Sequence, residues 1–402
     1  MKVIEHIGEL ATAHGTAAAA GDAQTVERRT DAYVAWEGDT IVSVGQGDYL
    51  GAAERLNAAG RLVTAGLVDC HTHLVFGGWR EREFALKRKG VGYLDILKAG
   101  GGILSTVRDT RAASFDTLYQ KAQALLFEMM RSGTTALEAK SGYGLDYETE
   151  YKQLAVAQKL RALNSDLVST FLGAHAFAPE YTANAYVDAL CDTILPRIAE
   201  SGLATFCDVF CDEGVFSAEQ AKRILLCGKA HGLTPKLHAD EIRCIGGTDT
   251  ARDVGAISCD HLSETGDAGI AALRAGGQIA VMLPATSFYL KKPYGRFPDM
   301  VRAGVPVAVA TDFNPGSTPN LSLPFAMTVS CLYGGLTCEQ ALCGATLNGA
   351  AAVGLAERLG TVEAGKQADL VIWDADNLDQ LLYRYGTNRA AAVIKKGTLW
   401  NN

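Results

Sequence analysis

The sequence lacks the features that mark membrane, secreted and nucleic-acid-binding proteins. No apolar run approaches the ~18 residues that a membrane-spanning helix requires. The opening residues, MKVIEHIGELATAHG, carry Glu5 and Glu9 in place of the apolar stretch of a signal peptide. There is no basic block: Lys plus Arg (37) against Asp plus Glu (45) gives a net charge of −8, the wrong sign for a nucleic-acid partner. Internal repeats, linkers and low-complexity tracts are missing beyond the short Ala17–Ala20. The ten cysteines show no pairing pattern, and Cys70, Cys207 and Cys259 sit inside apolar runs. Cys207 and Cys211 are spaced C-x3-C with no second pair nearby to complete a structural zinc site. We therefore expect a cytoplasmic protein with buried free thiols and neither nucleic-acid nor membrane partners.

What is present builds a large core, since 48% of the 402 residues are hydrophobic and that excludes global disorder. From about residue 61, eight short apolar runs alternate with longer segments of helical periodicity. They are LVDCHTHLVF (67–76), TTALEAK (134–140), LVSTFLGAH (167–175), TFCDVFCD (205–212), TPKLHAD (234–240), AISCDHL (256–262), QIAVMLP (278–284) and VPVAVATD (305–312). Most are apolar without strict alternation, as strands buried on both faces are. Helix spacing runs through FDTLYQKAQALLFEMMRSG (115–133), which ends in a glycine stop, and through ETEYKQLAVAQKLRALN (148–164). Eight βα units over about 250 residues predict an α/β fold of the (β/α)8 TIM-barrel type. A doubly wound sheet would place G-x-G-x-x-G after its first strand, and AGGGILS (99–105) has neither that spacing nor that position. Both chain ends read as short strands, with hairpin turns at Gly38-Asp39 and Gly397. The expected division is 1–60 and 357–402 forming a small β-sandwich domain together, with 61–356 as the barrel.

Polar residues gather towards the ends of these runs. His71 and His73 are two apart, so strand alternation points both imidazoles the same way. His175, His238 and His261 lie in or at the ends of three further runs, and Asp312 ends the eighth. A divalent cation accounts for the cluster: His71, His73, His238 and Asp312 offer three imidazoles and a carboxylate. Nitrogen and oxygen donors without thiolate suit Zn²⁺ or Fe²⁺. Such a cation lowers the pKa of water from roughly 15.7 to about 7, which makes hydrolysis the natural reaction class. Glu241, His261 and Asp312 are the candidates for moving protons. Arg80, in GGWREREFALKRKG (77–90), suits a substrate carboxylate. Tyr143 and His175 are placed to hydrogen-bond a polar heterocycle. Asn314, Gly316 and Ser317 read as a turn with free N–H groups for an anionic oxygen, and Gly100–Gly102 as a lid or a simple loop. No G-x-S-x-G elbow suggests a serine nucleophile.

LVDCHTHLVFGGWR, AGGGILSTVR, EAKSGYGL, GAHAFAPE, HADE, CDHL and ATDFNPGS together resemble the imidazolonepropionase family of the amidohydrolase superfamily. The trailing GTVEAGKQADLVIWD is similar to the end of many superfamily members. The resemblance implies metal-dependent hydrolysis of the cyclic amide of 4-imidazolone-5-propanoate, a small anionic heterocycle, to N-formimidoyl-L-glutamate in histidine degradation. It implies metal ligation by His71, His73, His238 and Asp312, substrate contacts from Arg80, Tyr143, His175 and Glu241, and Asn314, Gly316 and Ser317 around the propionate or product end. His261 matches the histidine beside the reacting carbonyl. Binuclear superfamily members carry a carboxylated lysine at the end of strand four. Here that position reads Cys211-Asp212-Glu213, which predicts one cation, Zn or Fe. Lys140, on strand two, either contacts the substrate or the ligand residues, or is a structural ion-pair partner, the reading we prefer. The H-x-x-E of His238–Glu241 also fits a ring deaminase, and a non-catalytic barrel binding an anionic metabolite is a further alternative. A homodimer is the default assembly.

Overall fold

The computed structural model describes residues 1–90, 101–163 and 166–400. Gly100 of the expected glycine lid and Asn164 at the end of the second helical segment lie outside them. Each of the eight apolar runs forms a strand: Leu67–Asp69 (β1), Thr134–Lys140 (β2), Asp166–Ala174 (β3), Phe206–Cys211 (β4), Leu237–Ala239 (β5), Ser258–His261 (β6), Ile279–Met282 (β7) and Val307–Val309 (β8). They hydrogen-bond in chain order and every adjacent pair is parallel. The two edges meet through the residues that follow them. The Asp312 N–H donates to the His71 carbonyl at 3.0 Å, and the His73 N–H donates to the Phe313 carbonyl at 2.8 Å. Asp69 braces the same seam, its carboxylate accepting the Thr311 N–H at 3.0 Å and its hydroxyl at 2.6 Å. This near-closure is the expected (β/α)8 barrel, and it sets the first two histidines beside Asp312.

The helices follow from the same local signals. Ser114 caps Phe115–Arg131, its hydroxyl accepting the Thr117 N–H at 3.1 Å. Leu118, Ala122, Leu125, Leu126, Met129 and Met130 lie buried three or four residues apart, as one stripe against the sheet. Gly133 then takes φ +94°, where an added Cβ would stand 2.5 Å from the Trp373 ring, so a side chain is excluded twice over.

The termini build a second, mixed sheet. Its order is Thr398–Leu399, Ala390–Lys395, Leu370–Trp373, Leu62–Ala65, Lys2–Thr12, Glu27–Glu37 and Thr40–Gln46. Lys2–Thr12 is long enough to pair end to end with two strands on one side, Glu54–Asn57 and then Leu62–Ala65. The hairpin at Gly38-Asp39 bends back on the C-terminal part: the Trp36 indole N–H donates to the Gly397 carbonyl at 2.9 Å, and the Ala368 N–H to the Asp39 carbonyl at 2.7 Å. The small β unit expected from both termini is one continuously bonded mixed sheet whose side chains Ile4, Ile7, Val34, Trp36, Leu370 and Ile394 share a buried cluster. Among the described residues, no helix is long and apolar enough to cross a membrane.

Candidate metal centre and active site

The barrel's strand exits bring the predicted residues together. Imidazole centroids lie 4.5 Å apart for His71 and His238, 5.5 Å for His71 and His73, and 5.2 Å for His238 and His261. His175 stacks on His73 at 4.9 Å, and Tyr143 stands 5.3 Å from His175. Asp312 Oδ1 faces His71 Nε2 at 3.5 Å and His73 Nε2 at 3.6 Å. Its other oxygen accepts the Thr286 hydroxyl at 2.6 Å, so one oxygen is anchored and the other is presented to the site. Donor atoms of His71, His73 and Asp312 lie mutually within 4.8 Å, as do those of His71, His238 and His261. The chain reaches these positions through left-handed backbone at Asp240 (φ +53°), His261 (φ +77°) and Asp312 (φ +53°). Such residues cost about 1–3 kcal/mol each and cluster where function demands them.

Buried polar atoms test whether a cation fits. His71 Nε2 and His238 Nε2 are buried and have no hydrogen-bond partner among the described residues. Leaving such atoms bare costs about 1–3 kcal/mol apiece. Bonds of about 2.0–2.1 Å in tetrahedral geometry put donors about 3.3 Å apart, close to the two Asp312 separations above. His71, His73 and Asp312 have the spacing and chemistry to hold a divalent cation, and His238 groups with His71 and His261 beside them.

Carboxylates behind the histidines explain their orientation. His71 Nδ1 lies 2.6 Å from Asp260 Oδ2, and His238 Nδ1 lies 3.0 Å from Asp208 Oδ2. His71 Nδ1 is hydrogen-bonded to its carboxylate, which leaves its Nε2 to face the site. Asp208 stands behind His238 as an ion-pair partner, and its Oδ1 accepts the His238 backbone N–H at 3.2 Å. Burial holds His71 and His73 far below the ordinary imidazole range, reinforced by Lys140 for the first and by His175 for the second. Both are neutral at pH 7, the form that ligates metals. Burial also brings His175 down to about 3, with His238 acting the same way. For His238 burial opposes the charge, but Asp208 outweighs it and the pKa rises.

The surrounding loops are fixed by buried acceptors. Glu150 accepts the N–H groups of Gly142, Gly144 and Leu145 at 2.8–2.9 Å, shaping the loop that carries Tyr143. The Gly142 carbonyl in turn lies 3.1 Å from His175 Nδ1. Asp212 accepts the N–H groups of Glu241, Ile242 and Arg243 at 2.8–2.9 Å. The Glu241 carboxylate then stands 3.7 Å from His261 Nδ1 and 3.5 Å from Lys292 Nζ. Burial pushes Glu241 upward, yet His261, Lys292 and His238 prevail and hold it below its usual range.

Arg80 lies against the turn after β8. A Cβ built on Gly316 would sit 1.2 Å from its guanidinium, so glycine is what admits Arg80 there. The turn itself differs from expectation. The N–H groups of Gly316 and Ser317 both donate to Asn314 Oδ1, at 2.8 and 2.7 Å, and Asn314 Nδ2 donates to Ser317 Oγ at 2.7 Å. These donors, expected to be free for an anion, are engaged by the asparagine that shapes the turn, and Arg80 supplies the positive charge beside it. Lys140 is a buried ion-pair partner, 2.7 Å from Asp208 and 3.1 Å from Glu138. Sequence reasoning missed Asp208, Asp212, Glu150, Thr286 and Lys292. Asp208 alone carried a signal: a lone carboxylate inside the apolar run FCDVFC.

The amidohydrolase family model matches residues 62–399. Imidazolonepropionase from Geobacillus kaustophilus is 47% identical over 372 residues, covering 90% of this chain and 88% of the relative. Imidazolonepropionase from Bacteroides fragilis is 48% identical over 349 residues, covering 86% and 84% respectively. A solved 5-methylcytosine deaminase from Klebsiella pneumoniae superposes with a TM-score of 0.75 over 99% of this chain and 97% of its own; at 17% identity the likeness is one of fold. The chain therefore belongs to the amidohydrolase family and, within it, to the imidazolonepropionases.

Proposed function

We propose that this chain hydrolyses 4-imidazolone-5-propanoate to N-formimidoyl-L-glutamate, a step of histidine degradation, with one divalent cation, Zn²⁺ or Fe²⁺, held by His71, His73, His238 and Asp312. The observation that carries the reading is the buried His71 Nε2, which has no hydrogen-bond partner among the described residues and faces Asp312 Oδ1 beside His73 Nε2, in a chain nearly half identical to imidazolonepropionases. When bound, the cation polarises the ring carbonyl and makes water a competent nucleophile near neutral pH. The residues of the chain do the rest. Arg80 pairs with the propionate, beside the turn of Asn314, Gly316 and Ser317. Tyr143, His175 and Glu241 hold the ring, with Glu241 as an ionised acceptor for a ring N–H. His261 donates a hydrogen bond at the reacting carbonyl. Asp312, anchored through Thr286, takes the proton from water at Oδ1 and returns it to the departing ring nitrogen. The bond broken joins the carbonyl carbon to that nitrogen; the water oxygen stays on carbon as the new carboxylate.

In this reading the barrel segment, 61–356, does the chemistry, and 1–60 with 357–402 form its scaffold, joined by the strand Leu62–Ala65 from the start of that segment. We further read the enzyme as cytoplasmic, its ten thiols unpaired as a reducing compartment keeps them, and as a homodimer. The test is to supply 4-imidazolone-5-propanoate and follow loss of its ring absorbance. Turnover that stops on chelation and returns with Zn²⁺ or Fe²⁺ is expected. A full rate in chelated, metal-free protein, or ammonia release from purines or pyrimidines in place of ring opening, would overturn the proposal.

A further inference from the structure

The floor of the barrel beneath the site is ionic. The side chains of Lys140, Lys236, Glu138, Asp208 and Asp260 are all fully buried. Lys140 Nζ lies 2.7 Å from Asp208 Oδ2, 3.1 Å from Glu138 and 3.5 Å from Asp260 Oδ2, donating hydrogen bonds to the first two and ion-paired with the third. Two of these carboxylates are those that stand behind His71 and His238, with the same Oδ2 oxygens 2.6 and 3.0 Å from the two Nδ1 atoms. Lys236 does not duplicate the arrangement. Its ammonium is taken up by Glu138 at 3.1 Å and by the carbonyls of Ala352 and Cys70 at 3.2 and 3.5 Å.

We infer that Lys140 is a positioning residue for the cation site, a single ammonium that fixes the two carboxylates aiming His71 and His238. The inference rests on the reading that those two histidines hold the cation. Without the ammonium, two like-charged carboxylates converge on an empty space in a medium that screens them poorly, and each moves off the imidazole it orients. Groups behind metal-ligating histidines are typically worth tenfold to a hundredfold in metal affinity. A buried ion pair serving the fold alone would change melting temperature and leave that affinity untouched.

The experiment is chelator-competition titration of Zn²⁺ on the full-length metal-free protein, for wild type, His238→Ala and the double variant Lys140→Met/Glu138→Gln. The double variant removes one charge of each sign and keeps the buried sum. Zinc binding about tenfold to a hundredfold weaker, with the near-ultraviolet circular dichroism of the metal-free protein retained, is the expected result. An unchanged Kd in the folded double variant overturns the inference. Should that variant fail to fold, Lys140→Arg keeps the cation but lengthens its reach, and the same criterion applies: at least a tenfold loss, or the inference fails. His238→Ala binding Zn²⁺ as tightly as wild type would instead remove the parent reading, so the two failures are distinguishable.

Discussion

Replacing His238 with alanine is expected to empty the cation site and lower kcat/KM by about a thousandfold or more. A Lewis acid contributes several kcal/mol to such a transition state, and each 1.36 kcal/mol is tenfold in rate. The position is central because its ring centroid lies within 4.5–6.0 Å of those of His71, His73, His175 and His261. The same substitution strips Asp208 of its imidazole partner, and burial alone pushes that carboxyl upward while His238 and Lys140 hold it down. Some loss of stability in the metal-free protein therefore accompanies the loss of metal. Metal content by elemental analysis, measured beside turnover, separates the two effects. A variant that keeps its cation and its rate would show that His238 is a core residue.

Arg80→Ala is expected to behave in the opposite manner, keeping the cation and losing the substrate. Removing one partner of a charge pair in a partly buried site costs about 2–4 kcal/mol, which is a rise in KM of about 30- to 1,000-fold. Arg80 is not tied to the histidine cluster by any hydrogen bond among the described residues, and its Nε is buried without a partner, as expected of a group awaiting a ligand. Gly316→Ala should reproduce part of the effect without touching Arg80 itself. Its Cβ overlaps the guanidinium, the far end of a flexible side chain, so the arginine moves and the fold does not. Steady-state kinetics with melting temperatures decides the matter. Normal KM in both variants would remove Arg80 from substrate recognition.

Much of the architecture was legible because each buried parallel strand is written locally as an apolar run. Thr134–Lys140 begins and ends where TTALEAK does, and Ser114 and Gly133 bound their helix as caps and stops should. The clustering of the candidate residues was legible for a related reason: a barrel places its chemistry at the C-terminal ends of its strands, so polar residues closing apolar runs stand out. Pairings that no local pattern encodes were not legible. Lys2–Thr12 joins two strands end to end, which makes the unit built from both termini one mixed, continuously bonded sheet. Strand β1 stops at Asp69, short of the apolar run to residue 76, because the chain there leaves the sheet to meet Thr311–Phe313. The pairing of carboxylates with the histidines was not legible because each partner is far off in sequence. Asp260 is 189 residues from His71 and Asp208 is 30 from His238. Glu150 reads as an ordinary helix-start acid until the glycine loop is seen to donate to it.

The central claim is that four side chains from the exits of three strands share one cation. Anomalous diffraction from crystals of the zinc-loaded protein tests it most directly. The account predicts a single peak per chain about 2.0–2.2 Å from donor atoms of His71, His73, His238 and Asp312. A peak bound elsewhere, or a loaded protein with none among these four residues, would contradict it.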